Sequence, residues 1–269
     1  CSKDVEGSDV GNRCCGRLGI AGVSSAVVVS RAELDLSRLC PGLKVPEPGE
    51  LKLTLTGKDI AELEATSTGE LNEVSRFDYS NEWQTLAEYD KPALFPGTYT
   101  AKLEYGDSEA IGPDKPYYRG EVSATVVISD EKSCVPVAIR NAAVRVTATD
   151  NFKNYFFDAR FTLEIDGVLY DGSNGKPEYT FTLGDTDRPI FVPAGAKVAV
   201  KGSVYRPSQT SDGAGEELPV EVPARVAVAG TLHTFAFTAE AAGAWMEVKF
   251  LDHEEGGSDD VELNDGAKL

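Results

Sequence analysis

A two-residue alternation of apolar and polar side chains runs through this chain, broken again and again by Gly, Pro, Asn or Asp. Leu51-Lys52-Leu53-Thr54-Leu55 and Tyr99-Thr100-Ala101-Lys102-Leu103-Glu104-Tyr105 are clear cases. Successive side chains of a strand leave opposite faces of a sheet, so such a segment suits a sheet with one face in a core and one in water. A second series follows, with Val144-Arg145-Val146-Thr147, Phe161-Thr162-Leu163-Glu164-Ile165, Val198-Ala199-Val200 and Phe235-Ala236-Phe237 before Trp245. The pattern predicts an all-β fold of antiparallel β-sandwiches. Helix signal is sparse: in Asp150-Asn151-Phe152-Lys153-Asn154-Tyr155-Phe156, Asp150 can cap and three aromatic rings share a face.

A chain of 269 residues is long enough for two cores of ordinary size. We read residues 1–16 as a flexible polar tether, 17–140 and 141–252 as two sandwich domains, and 253–269 as an acidic tail in which Val261 and Leu263 could add a last strand. Phe95-Pro96-Gly97-Thr98-Tyr99 in the first half is echoed by Val192-Pro193-Ala194-Gly195 in the second, which suggests a duplicated module. No Ser/Gly-rich linker separates the halves between Val135 and Val146, so one strand is expected to run almost directly into the next domain, giving a rod.

The net charge of −18 disfavours nucleic acid and anionic lipid surfaces as partners. No run of about 18 apolar residues is present to span a bilayer, so membrane attachment is expected only through a lipid on Cys1. Setting Cys1 aside leaves Cys14, Cys15, Cys40 and Cys134, which allow three pairings. An adjacent pair is strained if joined to itself, so a disulfide is expected to run from Cys14 or Cys15 to Cys40 or Cys134. Cys14-Cys15 lacks metal-ligand spacing and only His233 and His253 could assist, so no metal site is expected.

Several segments, taken in order, are familiar. Cys1-Ser2-Lys3-Asp4, Val29-Ser30-Arg31-Ala32, Phe95-Pro96-Gly97-Thr98-Tyr99, Pro116-Tyr117-Tyr118-Arg119-Gly120, Asn141-Ala142-Ala143-Val144 and Phe152-Lys153-Asn154-Tyr155-Phe156 together resemble a family of Bacteroidota outer-membrane lipoproteins. The resemblance implies two tandem immunoglobulin-like sandwiches, a family of unknown function, and no catalytic residues to carry over. It also implies that Lys3-Asp4 acts as a surface-export signal behind the lipidated cysteine, although Val5 interrupts the acidic run.

Chemistry-bearing residues are few. His233 shares strand parity with Phe235 and Phe237 and is expected to cap a core row, while His253 falls in the acidic tail. No Gly-x-Ser-x-Gly elbow marks a nucleophile, and no carboxylate pair stands out for glycoside cleavage. Asp171-Gly172-Ser173-Asn174-Gly175, with Asp185 and Asp187 nearby, lacks the full calcium-loop spacing and reads as a turn. A Lys52–Asn141 isopeptide bond is conceivable but has no further support in sequence.

The aromatic residues are the better clue, because sugar rings stack on Trp and Tyr while neighbouring polar groups meet their hydroxyls. Trp83, among Tyr79, Asn81 and Glu82, and the run Tyr117-Tyr118-Arg119 are the candidate ligand-binding residues, with core packing as the alternative for each ring. The sequence therefore reads as a non-enzymatic lipoprotein of the outer membrane, facing outward, that acts in adhesion or glycan binding. Surface glycans or other surface proteins are its expected partners, and no cofactor is expected. The alternatives are a filament subunit assembled by strand donation and, last, a glycan-active enzyme.

Overall fold

The computed structural model describes residues 14–24, 45–169, 180–182, 189–206, 215–239, 246–252 and 258–261. It is mostly strand, in two compact units. The described part of the first unit is 14–24, Val45–Tyr105 and Tyr118–Ala138; the second takes Gly106–Tyr117 and the chain from Ile139 on.

In the first unit the alternation becomes β1 (Gly16–Ser24), β2 (Lys52–Ala65), β3 (Leu71–Trp83), β4 (Ala93–Leu94), β5 (Gly97–Tyr105), β6 (Tyr118–Val126) and β7 (Asp130–Ile139). They hydrogen-bond in the order β3-β2-β5-β6-β7-β1-β4. The sheet curls round one core, in which Leu53 and Leu55 of β2, Tyr99, Ala101 and Leu103 of β5, Val126 of β6, Val135 of β7 and Leu18 of β1 are buried. Their polar neighbours Lys52, Thr54, Lys102 and Glu121 face out, as a period of two requires.

The second unit contains β8 (Ala142–Ala148), helix α1 (Asp150–Tyr155), β9 (Phe157–Ile165), β10 (Val168–Leu169), β11 (Thr180–Thr182), β12 (Ile190–Val192), β13 (Lys197–Arg206), β14 (Glu216–Val226), β15 (Leu232–Ala239), β16 (Met246–Asp252) and β17 (Ser258–Val261). One sheet runs β10-β9-β13-β14, with β11 also on β9, and the other β12-β8-β15-β16-β17. Phe152, Phe156, Phe161 and Phe237 meet in the core between them, Phe161 and Phe237 stacked at 4.2 Å. Helix α1 is one short amphipathic turn and a half, but its cap is Thr149, whose hydroxyl accepts from Phe152 N, and not Asp150.

The two units repeat one topology. In each, the first strand lies parallel to a late strand, β1 to β7 and β8 to β15, and antiparallel to a short strand, β4 or β12. Phe95-Pro96 joins β4 to β5, and Pro193-Ala194-Gly195-Ala196 joins β12 to β13, so the two echoed segments occupy the same place in each unit. These parallel pairs correct the expectation of purely antiparallel sandwiches. The strand order also departs from the immunoglobulin arrangement, in which the first, second, fifth and fourth strands share a sheet. Here the first strand sits between the fourth and the seventh.

The expected limits shift in two places. Cys14 and Cys15 are buried and β1 begins at Gly16, so the end of the expected 1–16 tether belongs to the folded body. Gly106–Tyr117 lies with the second unit because Ile111 packs on its core, Gly112 exchanges backbone hydrogen bonds with Phe191, and Asn141 holds Lys115 and Tyr117.

Candidate functional site

β3 is the outermost strand of its sheet, so side chains on its core-facing side are only partly covered. Tyr79 lies opposite Gly57, Asn81 opposite Leu55 and Trp83 opposite Leu53, and those three partners are buried. Paired residues share a face, so Tyr79, Asn81 and Trp83 form a row along the rim of the first core. Tyr79 and Trp83 are half-buried and Asn81 is exposed.

A second segment closes on this row. After a 3-10 turn at Leu86–Glu88, anchored by Leu86 N donating to Leu51 O at 2.6 Å, the chain delivers Tyr89. The Tyr89 hydroxyl donates to Leu18 O at 2.7 Å, and its ring meets Trp83 edge to face, centroids 4.8 Å apart at 81°. Tyr79 meets Tyr99 in the same manner at 5.6 Å and 80°. Burial pushes the Tyr79 and Tyr89 phenols up, and the charge of the exposed Asp90 adds to both, while Asn81 hydrogen-bonds the Tyr79 hydroxyl. The result is an aromatic rim with an amide in the same row. Such a rim can stack on the C–H face of a sugar while Asn81 meets hydroxyls.

The other candidates lie elsewhere. Tyr118 is on the core side of β6, ring to ring with Tyr105 at 6.4 Å, and Arg119 points the opposite way, where it pairs with Glu121 at 3.0 Å. Trp83 and Tyr118 are three strands apart, about 14 Å at the usual strand spacing. Tyr117 belongs to the second unit, its N–H donating to Asn141 Oδ1 at 3.0 Å and its carbonyl accepting from Arg140 N at 2.8 Å. Tyr117 and Tyr118, adjacent in sequence, thus fall in different units, and Trp83 and Tyr118 on different strands of the first. Tyr89, which completes the rim, carried no local signal, because only the closure of the 3-10 segment onto β3 places it there.

His233 is fully buried, and its Nε2 accepts from Val228 N at 2.8 Å, fixing the β14–β15 turn at the head of the row Phe235, Phe237. Lys52 pairs with Glu82 at 2.9 Å, and Asn141 is committed to Lys115 and Tyr117, so neither is placed as an isopeptide partner. The register sets Cys134 opposite Ala21, six residues along from Cys15 or about 20 Å, against a bridging limit of about 7 Å, so Cys134 cannot reach the Cys14-Cys15 pair. Cys1, Cys40, Asp171 to Gly175, Asp185, Asp187, Trp245 and His253 lie outside the described residues. Among the described residues, no group of three or more His, Cys, Asp or Glu could hold a metal, and no helix is long and apolar enough to cross a membrane.

A domain family of unknown function, DUF4493, matches residues 48–253, well over half of the chain. The chain belongs to this family. The DUF4493 match includes every residue of the rim. No curated protein matches the chain. Among solved structures it is similar to a fimbrial assembly protein from Parabacteroides distasonis, 8% identical over 91% of this chain and 97% of that one, with a TM-score of 0.42. A candidate cell adhesion protein from Bacteroides uniformis is 11% identical over 88% and 96%, TM-score 0.42. A candidate polysaccharide binding protein from Bacteroides thetaiotaomicron is 8% identical over 93% and 99%, TM-score 0.39. Likeness at this distance assigns no shared function.

Proposed function

We propose that this chain is a non-enzymatic module of the bacterial cell surface that acts in adhesion by capturing glycans at the Trp83–Tyr89 rim. One observation carries the reading: two aromatic rings, Trp83 and Tyr89, edge to face at the open side of an edge strand, with the exposed Asn81 in the same row. A rigid ring loses little freedom on binding, and an amide fixes the orientation of a hydroxyl-bearing ligand. Attachment to the outer membrane through a lipid on Cys1 is supported by the Cys1-Ser2-Lys3-Asp4 motif. The net charge of −18 argues for glycan or protein partners over nucleic acid.

The test is a glycan array probed with the chain from Ser2 onward and with three variants. Trp83→Ala is expected to weaken binding by about tenfold or more, as for a buried aromatic anchor. Tyr118→Ala and Arg119→Ala, away from the rim, are expected to bind as the parent does. A parent chain that binds no glycan while capturing surface proteins would replace this reading with protein-mediated adhesion.

A further inference from the structure

The aromatic row continues past Tyr79. Phe77, two residues earlier on β3, lies opposite the buried Ile60, so Phe77, Tyr79, Asn81 and Trp83 all share the core-facing side of the outermost strand. Between Ile60 and Gly57 the extra residue is on β2, where Lys58 and Asp59 stand against Asp78 alone. β3 therefore keeps its period of two from Phe77 to Trp83, and the side chains of the row stay in line. At the usual strand rise the ends of the row are about 20 Å apart. Each of its rings is half-buried and meets a ring further in edge to face: Phe77 meets Phe95 at 6.1 Å and 76°, Tyr79 meets Tyr99, and Trp83 meets Tyr89. Gly57 makes room for the middle pair, since a Cβ there would come within 2.8 Å of Tyr99 Cδ1. The exposed Asn81 stands between Tyr79 and Trp83, its Oδ1 accepting from Glu82 N at 2.9 Å.

Resting on the proposed glycan reading, we infer that the site is a strip along β3 from Phe77 to Trp83, and that its ligand is a linear, extended, β-linked glycan bound along its length rather than a terminal sugar. One sugar ring covers one aromatic ring, so a straight row about 20 Å long is filled by several consecutive units. An extended β-linked chain is a ribbon that runs as straight as the strand. It presents its C–H faces in succession, so one unit stacks on Trp83 while later ones reach Tyr79 and Phe77. A coiled α-linked chain curves off the row after its first contact. Once the first unit is bound every further contact is intramolecular, so contacts that are weak singly build on one another. Rings already held by a partner lose little freedom when a sugar stacks on them.

Calorimetry of the full chain with cello-, manno- and chito-oligosaccharides, each from monosaccharide to hexasaccharide, and with the α-linked malto-oligosaccharides reads both the length and the shape of the site. In at least one β-linked series the monosaccharide is expected to show no measurable binding. Affinity then climbs by roughly threefold to tenfold for each ring newly reached and levels off once the strip is filled. Malto-oligosaccharides bind more weakly at every length. Phe77→Leu keeps an apolar contact with Phe95 but removes the flat face, so the hexasaccharide weakens by roughly threefold to tenfold while the shortest oligosaccharide that binds is unaffected. Trp83→Ala weakens both. A monosaccharide bound as tightly as the hexasaccharide, or a hexasaccharide indifferent to Phe77→Leu, overturns the strip and leaves capture at Trp83 and Tyr89 standing. Malto-oligosaccharides bound as tightly as the β-linked series overturn the extended ligand. Binding of no oligomer in any series, or binding untouched by Trp83→Ala, overturns the rim as a glycan site and this inference with it.

Discussion

Tyr99 shows how much one side chain does in the first unit. It is fully buried at the start of β5, its ring meets Tyr79, and its hydroxyl donates to Phe95 O, four residues upstream, at 2.9 Å. That bond ties the segment joining β4 to β5 and so fixes the turn that the sequence marks with Phe95-Pro96-Gly97. Burial holds the Tyr99 phenol well above the ordinary tyrosine value. A raised native value means the stabilisation is complete below the ordinary value near 10 and is lost as pH rises above it, because the unfolded tyrosine ionises first. Guanidinium unfolding from pH 7 to 11 should therefore give a flat stability up to about 9 and then a fall approaching about 1.4 kcal/mol per pH unit for each such tyrosine. Tyr99→Phe is expected to lose about 1 kcal/mol at neutral pH, from the missing donor to Phe95 O, and to show a shallower alkaline fall than the parent.

Strands were legible one by one; their partners were not. Alternation in Leu51 to Leu55, Tyr99 to Tyr105 and Phe235 to Phe237 located β2, β5 and β15, because burial of one face is written into adjacent residues. The parallel pairs β1–β7 and β8–β15 join residues far apart in sequence, with Arg17 opposite Asp130 and Leu232 opposite Ala143, and no local pattern specifies such a partner. The site was half legible for the same reason: Trp83, Tyr79 and Asn81 follow one another along β3, whereas Tyr89 arrives from a segment without period. Strand closeness is written more subtly, in glycines. A Cβ on Gly202 of β13 would lie 1.9 Å from Arg160 O and 3.0 Å from Phe161 Cα of β9, both backbone atoms that cannot move without parting the strands. Gly202→Ala should cost about 3 kcal/mol in thermal or denaturant unfolding, whereas Gly19→Ala, whose nearest neighbours would be at 3.4 Å, should stay close to the parent.

The division into units does not follow the chain, because Gly106–Tyr117 comes between β5 and β6 of the first unit yet belongs to the second. Asn141 is the residue that holds its end. It is 1% exposed, its Nδ2 donates to Lys115 O at 2.8 Å, and its Oδ1 accepts from Tyr117 N at 3.0 Å. Both of its polar atoms are used, and both backbone groups depend on it. Asn141→Ala leaves a part-buried donor and acceptor to find new partners, a loss of about 1–2 kcal/mol for the pair. The opening is local before it is global, since Ile111 and the Gly112–Phe191 hydrogen bonds remain to hold the middle of the segment. Proteolysis reads the difference: Asp114 is exposed beside Lys115 at the end that Asn141 holds, so Asp-N should cut before it much faster in Asn141→Ala than in the parent under native conditions. The cut falls between β5 and β6, so the two fragments should stay associated through the β5–β6 ladder, Gly97 to Tyr105 against Val126 to Tyr118, and separate only in denaturant. Equal cleavage of parent and variant at Asp114 would mean that Ile111 and Gly112 hold the segment without Asn141.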